Sequence, residues 1–486
     1  MAVQVANQPP PLRDYNVVAA NAPLLEGLRR EGAPWAEDEL LAFGVELGGE
    51  PLEWGRLANE HPPVLHGHDR VEFHPAWHSL LALGIREGLQ RPGSHVARAA
   101  KFMALAQVEA GVGCPLSMTH AAVPTLRLEP ALAAEWEPRV TAGEALIGMA
   151  MTEKQGGSDV RANETEARPA GEHEATLHGH KWFCSAPMSD AFLILAQAPG
   201  GLSCYLVPRA DNGIVIERLK DKLGNRSNAS SEIRLDGAWG RLVGDEGRGI
   251  ATIIEMVVHT RLDCVLGSAA LMREAVAQAI HHCTHRVAFG KLLVEQPLML
   301  NVLADLCVES EAATIGALRL ARAFDEGDEF RRVATAVLKY WVCKRAPAVV
   351  GEALECLGGN GFVEDSVLPR LYRESPLNAI WEGSSNVQCL DVLRALRREP
   401  ASAAAFLAEL EERDRAPVER ALEAADEHGA RRLVETMAVA LQATLLDRHG
   451  DPAVAAAFRA RERFGAFGTL PAGLPLGAIV ERHRPR

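Results

Sequence analysis

The sequence predicts a multidomain α and β protein in which a helical domain, a β domain and a second helical domain follow one another. Apolar residues recur at helical spacing from about 24 to 145, and short apolar or alternating runs follow from about 146 to 245. Long helical segments return from about 248 to 398. A chain of 486 residues is also too long for one hydrophobic core. We therefore expect an N-terminal arm and helical domain at 1–145, an antiparallel β-barrel domain at 146–245, a four-helix bundle at 246–398 and an extra C-terminal helical module at 399–486.

Turn residues divide the predicted elements. Pro199-Gly200-Gly201 and Asp211-Asn212-Gly213 separate runs in the β domain. In the last module, Asp451-Pro452 is typical of a helix N-cap followed by proline at the first helical position. The sequence has no GxGxxG between a strand and a helix, so a doubly wound nucleotide fold is not expected. The predicted strands lie at 175–177, 192–197, 202–207, 214–217 and 232–235.

Charge and cysteine usage limit the possible environments. The formal net charge of −13 disfavours a surface that binds nucleic acid or anionic lipid throughout. Nine cysteines without a CxxC pair indicate reduced thiols and a cytoplasmic location. We expect no export signal and no membrane span, since no apolar run approaches the roughly 20 residues of a membrane helix.

A glycine-containing segment at 151–159, Met-Thr-Glu-Lys-Gln-Gly-Gly-Ser-Asp, is a candidate cofactor loop. Backbone N–H groups beside Gly156 and Gly157, together with Thr152 and Ser158, are able to donate to a ring oxygen or a phosphate. The alternative is an ordinary loop that ends in a capping serine.

The chain resembles the acyl-CoA dehydrogenase family at four motifs. They are Ala150 to Asp159, then Arg286-Val287-Ala288-Phe289-Gly290, then Glu355 with Gly358-Gly359-Asn360-Gly361-Phe362, Asp365, Arg370 and Glu374, and finally Trp381-Glu382-Gly383-Ser384. Longer stretches resemble the AidB branch of that family, which is linked to the bacterial response to DNA alkylation. These stretches are Thr152 to Val160, His180-Lys181-Trp182-Phe183 and Arg218 to Ser230.

The resemblance implies an FAD-dependent oxidation of an acyl-CoA. In the family, a carboxylate removes the α-proton while hydride passes from the β-carbon to flavin N5, and Glu382 matches that base. The alternative for Glu382 is a carboxylate that stabilises a helix N-terminus. Some branches carry the base on an earlier helix, where this chain has Thr260 before Arg261 and no carboxylate.

The resemblance also implies a set of FAD-binding residues and an oligomer. Arg286 and Phe289 match residues that reach the FAD of a neighbouring subunit, so we expect a homotetramer built as a dimer of dimers. Two positions depart from the family: Glu355 replaces a glutamine, and Gln296 comes one position early. The predicted cofactor residues are Met151, Thr152, Gly157, Ser158, Phe183, Ser185, Arg286, Phe289, Gln296, Glu355, Gly358, Gly359, Ser384 and Asn386.

A second function, FAD-containing DNA binding with residual dehydrogenase activity, remains open. Residues 401–430 carry 3 Arg against 8 acids, whereas 431–486 carry 9 Arg against 5 acids. Such a basic segment could hold double-stranded DNA by its phosphates, although exposed arginine is more often a solvated helix face. We interpret His281, His282, Cys283 and His285 as the polar face of a helix rather than a metal site. The candidate DNA residues are Arg431, Arg432, Arg459, Arg461, Arg463, Arg482, Arg484 and Arg486.

Overall fold

The computed structural model describes residues 7–461, 470–471 and 473–485, which form two compact units. Unit 1 contains the described residues of Met1–Leu52, Ser94–Val108 and Cys264–Arg486. Unit 2 contains Glu53–Gly93 and Glu109–Asp263. Each unit combines separated stretches of chain, which differs from four consecutive domains, and the four boundaries stay predictions.

Helices dominate the chain before the barrel, as the periodicity predicts. Proline begins two of them: α4 starts at Pro75, where the His74 ring accepts the Ala76 N–H at 3.2 Å, and α7 starts at Pro130. The elements are α1 (Ala22–Arg30), α2 (Glu37–Leu47), α3 (Glu50–Glu60), β1 (Val64–His66), β2 (Arg70–Glu72), α4 (Pro75–Arg86), α5 (His95–Val108), α6 (Gly113–Leu126) and α7 (Pro130–Ala142).

A closed β-barrel forms the centre of unit 2. Neighbouring strands run β6-β4-β5-β9-β7, and β7 pairs with β6 again, which closes the ring. Strand β3 pairs with β6, and β8 pairs with β9. The strands are β3 (Ile147–Ala150), β4 (Glu166–Gly171), β5 (Glu174–Ser185), β6 (Ala191–Ala198), β7 (Gly201–Pro208), β8 (Ile214–Leu219) and β9 (Ser230–Val243).

The barrel confirms the predicted β domain and differs from it in one respect. Most pairings are antiparallel, but β6 pairs in parallel with β3 and, at one position, with β4. Other elements separate β3 and β4 from β6 in the chain, and such long connections permit the parallel pairing that a tight hairpin does not. The side chains of β6 are buried from Ala191 to Ala196, so its apolar run belongs to a strand covered on both faces.

Long helices return after the barrel, as predicted. Helix α9 is central to unit 1, and α1, α5, α10, α16 and α18 pack against it. The elements are α8 (Gly249–His285), β10 (Val287–Ala288), β11 (Lys291–Leu292), α9 (Pro297–Glu326), α10 (Phe330–Cys356), α11 (Gly359–Phe362), α12 (Leu368–Glu374), α13 (Ser385–Arg398), α14 (Pro400–Glu409), α15 (Glu412–Glu423), α16 (Ala430–His449), α17 (Pro452–Ala460) and α18 (Leu476–Arg482).

Buried ion pairs attach the C-terminal module to α9. The Arg461 guanidinium is 3% exposed and donates to Asp305 at 2.7 Å and to Glu309 at 2.7 Å. Arg482 and the His483 ring both contact Glu311. Buried carboxylates are costly unless they are paired, and these contacts supply the partners that the acids of α9 need.

Local signals read from the sequence agree with the structure in two places. Asp451 is the N-cap of α17, and its carboxylate accepts the Ala453 N–H at 2.8 Å. All nine cysteines are buried and none forms a disulfide. Within the described residues, no helix is both long enough and apolar enough to cross a membrane.

Candidate functional site

The predicted cofactor loop in unit 2 is built around one buried carboxylate. Lys181 Nζ donates to Glu153 Oε1 at 2.7 Å, and both side chains are fully buried. The Thr165 hydroxyl donates to Oε1 at 2.6 Å, and the Glu164 N–H donates to Oε2 at 2.7 Å. Because Glu153 lies within the loop and its partners lie on and beside the barrel strands, these bonds fix the loop on the barrel.

The same contacts set the charge of Glu153. Burial favours the neutral acid, but attraction to Lys181 and the hydrogen bonds from Lys181, Thr165 and the Glu164 N–H outweigh burial and lower the pKa of Glu153 to about 2. The pair is therefore ionised in the folded protein at neutral pH.

The backbone of the loop turns its carbonyls inward. The Trp182 N–H donates to the Thr152 carbonyl at 2.8 Å, and Asn163 Nδ2 donates to the Met151 carbonyl at 2.9 Å. A Cβ at Gly157 would lie 2.5 Å from Thr152 Oγ1, so any side chain at this position would force Thr152 to move. The loop therefore has a defined backbone, while the predicted donation of its N–H groups to a ligand stays a prediction.

The remaining predicted residues of unit 2 lie beside the loop and on β5. Ser158 is exposed, and the Phe183 side chain is 52% exposed. The Lys220 ammonium lies 4.7 Å from the centroid of the Phe183 ring. Ser185, at the end of β5, is within 3.2 Å of the Ser230 hydroxyl. An aromatic surface of this size is available for stacking with a ligand ring.

Glu382, the predicted base, lies in unit 1 on a turn between a short 3₁₀ helix and α13; we call residues 381–384 the Glu382 turn. Three successive carbonyls of this turn face two buried side chains. Lys339 Nζ donates to the Trp381 carbonyl at 2.8 Å and also to the Gly383 carbonyl. Gln388 Nε2 donates to the carbonyls of Glu382 at 3.1 Å and Gly383 at 2.9 Å.

These contacts explain the strained backbone at the predicted base. Glu382 has φ of +59° and Gly383 has φ of +92°. A glutamate in the left-handed region costs on the order of 1–3 kcal/mol, and such residues persist only where their surroundings hold them. Lys339 is 1% exposed and Gln388 is fully buried, so the two donors that hold the turn are themselves fixed in the core.

The residues predicted to reach the adenine end of FAD cluster on the β10–β11 hairpin. Arg286 precedes β10, and Phe289 is 99% exposed at the hairpin tip with φ of +51°. Gln296 Nε2 donates to the Ala288 carbonyl at 3.1 Å. The early position of Gln296 therefore still lets it stabilise the hairpin, in addition to any ligand contact.

The paired glycines and the α13 residues have different surroundings. A Cβ at Gly358 or Gly359 would meet no atom within 4 Å, and Gly358 has φ of +59°. Glu355 is exposed and makes no ion pair within the described part of the chain, so its negative charge stays uncompensated there. Ser384 is the N-cap residue of α13, and Asn386 accepts a hydrogen bond from Arg431 at 2.8 Å.

These surroundings fit FAD. Open space borders Gly358 and Gly359, Phe183 offers a half-exposed ring, and an arginine stands beside a fully exposed aromatic residue in the hairpin. The loop at 151–158 belongs to unit 2 and Glu382 to unit 1. Their meeting across one flavin ring stays a prediction.

Sequence reasoning missed the residues that support the site. Lys339 is the single charge in the otherwise uncharged run 333–343, which is a signal for a buried, partnered lysine. Glu153 and Lys181 stand inside the stretches that resemble AidB, and no separate signal marks them. Gln388 carries no such signal, because a glutamine on a helix is ordinary.

Replacing Glu153 tests the support of the loop. We expect Glu153→Gln to lower the free energy of unfolding by about 3–5 kcal/mol, because Lys181 would remain as a buried charge without its carboxylate. Chemical denaturation at pH 7 measures this loss. Since folding lowers the pKa of Glu153 from 4.5 to about 2, its stabilisation is present above pH 4.5 and is lost as the pH falls towards 2.

Glu164→Gln is the matched control, because Glu164 is exposed and contributes only its backbone N–H. This control should change stability by less than about 0.5 kcal/mol. Equal stability of the Glu153 and Glu164 variants would show that the buried pair does not hold the loop.

Comparison with known proteins agrees with this geometry along most of the chain. A family model for the N-terminal domain of the adaptive response protein AidB matches residues 7–144. Models for the middle and C-terminal domains of acyl-CoA dehydrogenases match residues 148–238 and 247–397.

Individual relatives give the same result. The chain is 46% identical over 435 residues to AidB of Escherichia coli, which covers 81% of this chain and 80% of that protein. It is 33% identical over 427 residues to acyl-CoA dehydrogenase family member 11 of Caenorhabditis elegans, covering 76% and 69% of the two chains. The crystal structure of ACDH-11 from Caenorhabditis elegans in complex with C11-CoA superposes with a TM-score of 0.86 at 28% identity, covering 93% of this chain and 91% of that one. The chain therefore belongs to the acyl-CoA dehydrogenase family, whose members bind FAD, and its N-terminal part carries the domain typical of AidB.

Proposed function

We propose that this protein is an FAD-dependent acyl-CoA dehydrogenase in which Glu382 removes the α-proton of an acyl-CoA. The observation that carries the proposal is the Glu382 turn. Glu382 has an unfavourable backbone conformation, and a buried lysine and a buried glutamine hold the turn in place. Backbone strain of this kind is found at functional sites, where the position of a side chain matters.

The chemistry divides between the chain and its cofactor. Bound FAD supplies the acceptor for the hydride that leaves the β-carbon. Glu382 accepts the α-proton, and a carboxylate base works best when its surroundings exclude water. Glu382 is partly buried between Trp381 and Gly383, and its backbone carbonyl is held by Gln388, so the turn fixes the point from which the carboxylate projects.

The substrate class follows from the relatives. ACDH-11 was solved with C11-CoA, and the chain shares its fold over 93% of its length. A straight-chain acyl thioester of similar length is therefore the first substrate to test. The preferred acyl chain depends on the shape of its pocket. The preference between neighbouring chain lengths is small, since one methylene contributes only about 1–3 kcal/mol.

We further propose a homotetramer, a dimer of dimers, in a cytoplasmic location. A 99% exposed Phe289 with positive φ on a hairpin tip is expensive in water, and it is expected to be covered by another subunit. None of the nine buried cysteines forms a disulfide, which favours a reducing compartment.

DNA binding through 431–486 is the second candidate function. Ion pairs within the chain reduce the number of arginines that support it. Arg459 pairs with Asp414 and Asp447, while Arg461 and Arg482 pair with acids of α9. A phosphate would have to compete with these carboxylates. Arg463 and Arg486 lie outside the described residues. Arg484 pairs with Glu481 at 3.5 Å, so the exposed candidates without an ion pair in the described part of the chain are Arg431 and Arg432.

The base is tested by removing its charge. We expect Glu382→Gln to retain FAD and to slow anaerobic flavin bleaching by C11-CoA by about 10²–10⁴-fold, the usual contribution of a general base. Stopped-flow absorbance at the flavin band measures the rate. Glu419→Gln, the same change at an exposed position on α15, should bleach like the parent protein. Equal rates for Glu382→Gln and the parent would exclude this residue as the base.

The support of the turn is tested at Lys339. In Lys339→Met the carbonyls of Trp381 and Gly383 lose a buried donor, at about 1–3 kcal/mol for each unsatisfied group. We expect kcat to fall at least about tenfold with little change in KM, because a displaced base affects chemistry more than binding. Steady-state kinetics of the FAD-loaded protein measures both constants.

Lys344→Met is the control for this variant, since Lys344 lies on the same helix and is exposed. It should leave kcat unchanged. A fall in kcat for both lysine variants, or for neither, would contradict the role given to Lys339.

The DNA candidate is tested at the N-terminus of α16. If duplex binding occurs, we expect Arg431→Ala with Arg432→Ala to weaken it and to reduce the slope of log affinity against log salt by about 2, since each phosphate contact contributes about 0.9. Fluorescence anisotropy of a labelled duplex at several salt concentrations measures the slope. Duplex binding with an unchanged slope would reject this surface.

A further inference from the structure

A short N-terminal segment, Asn7 to Pro10, lies against the hairpin that carries Arg286; we call it the N-terminal strap. The Asn7 side chain pairs with the backbone of Val287 like one residue of a β-bridge. Its Nδ2 donates to the Val287 carbonyl at 2.8 Å, and its Oδ1 accepts the Val287 N–H at 2.7 Å. The strap is thereby attached at the residue that follows Arg286.

The strap also contacts Arg286 directly. Arg286 Nη1 donates to the Asn7 carbonyl at 2.7 Å. The Nε–Nη2 edge of the same guanidinium makes no hydrogen bond or ion pair within the described part of the chain. That edge is the side-on fork with which arginine binds two oxygens of a phosphate. The strap thus orients the guanidinium and leaves its phosphate-binding edge available.

Two further bonds extend the strap to neighbouring elements. Asn360 Nδ2 donates to Gln8 Oε1 at 3.3 Å, and Asn360 follows the open glycine pair Gly358-Gly359. His281 Nε2 donates to the Pro10 carbonyl at 2.8 Å from the last turns of α8. The strap therefore connects the hairpin, where Arg286 offers a phosphate donor, with the turn at Gly358-Gly359, where the backbone is open.

We propose that the N-terminal strap is part of the binding site for the pyrophosphate and adenine end of FAD. Asn7 positions the Arg286 fork, and Gln8 holds Asn360 beside the paired glycines. This proposal rests on the proposed function, because it assumes that Arg286 contacts the FAD diphosphate. It adds residues that precede α1 to a site otherwise made by the hairpin and the glycine turn.

The contacts of the strap predict the size of its effect. The side chains of Asn7 and Gln8 are exposed, so their loss should leave the fold intact and act on the mobility of Arg286. Asn7→Ala removes the two side-chain bonds to the Val287 backbone that keep the Asn7 carbonyl against Arg286. Weakening that charge-assisted bond to the carbonyl reduces binding on the order of tenfold. We therefore expect Asn7→Ala with Gln8→Ala to raise the Kd for FAD about tenfold.

The experiment measures FAD binding to the full-length apoprotein by the change in flavin fluorescence. It compares the parent, the double strap variant, Arg286→Ala, and the strap substitutions combined with Arg286→Ala. The strap substitutions should weaken binding in the parent and have no further effect once Arg286 is removed. Arg13→Ala, exposed farther along the same arm, is the control and should bind like the parent.

The outcomes separate this proposal from the proposed function. A parent protein that binds FAD, with strap variants that bind it equally well or more tightly, overturns the role of the strap alone. Strap and Arg286 effects that simply add also overturn it, because the strap would then act elsewhere. A parent that is not bleached by acyl-CoA contradicts the proposed function but leaves the binding comparison intact. Strap variants with the same unfolding temperature as the parent protein would show that the substitutions leave the fold unchanged.

Discussion

The central constraint is the buried donor pair behind the Glu382 turn. The chain adopts left-handed conformations at Glu382 and Gly383, and the carbonyls of three successive residues accept hydrogen bonds from two buried side chains. Lys339 and Gln388 stabilise this arrangement, because they supply donors to carbonyls in a partly buried turn. The start of α13 and the position of the predicted base both follow from these bonds.

Unit 2 uses the same principle with opposite charge. At the Glu382 turn a buried lysine donates to neutral carbonyls. In the cofactor loop at 151–159 a buried carboxylate accepts hydrogen bonds from a lysine, a hydroxyl and backbone N–H groups. In both places the buried polar side chains hold the backbone, and a residue of that held segment is the one expected to contact a ligand. Burial makes each bond stronger and its loss more costly than on the surface. The positions predicted to face a ligand, Thr152 and Glu382, are thus fixed without being themselves part of the core.

The sequence predicts elements and motifs better than it predicts support. The apolar run at 192–197 identifies β6, and Asp451 identifies the start of α17, because each signal is local. The family motifs give Glu382 and Arg286 as candidates. The bond between Lys339 and the Trp381 carbonyl joins positions far apart in the chain, so spacing contains no trace of it. The contact of Asn7 with Arg286 is hidden for the same reason, as is the parallel pairing of β3 with β6.

Charge along the chain differs from charge on the surface for a related reason. The acidic stretch 401–430 and the basic stretch 431–486 appear as separate patches in the sequence. Folding brings them together: Arg459 of α17 pairs with Asp414 of α15, and Arg413 of α15 pairs with Asp447 of α16. Several arginines of the basic stretch therefore form ion pairs within the module or with the acids of α9. Counting arginines therefore overestimates the field available to a polyanion, and Arg431 and Arg432 matter because no described carboxylate neutralises them.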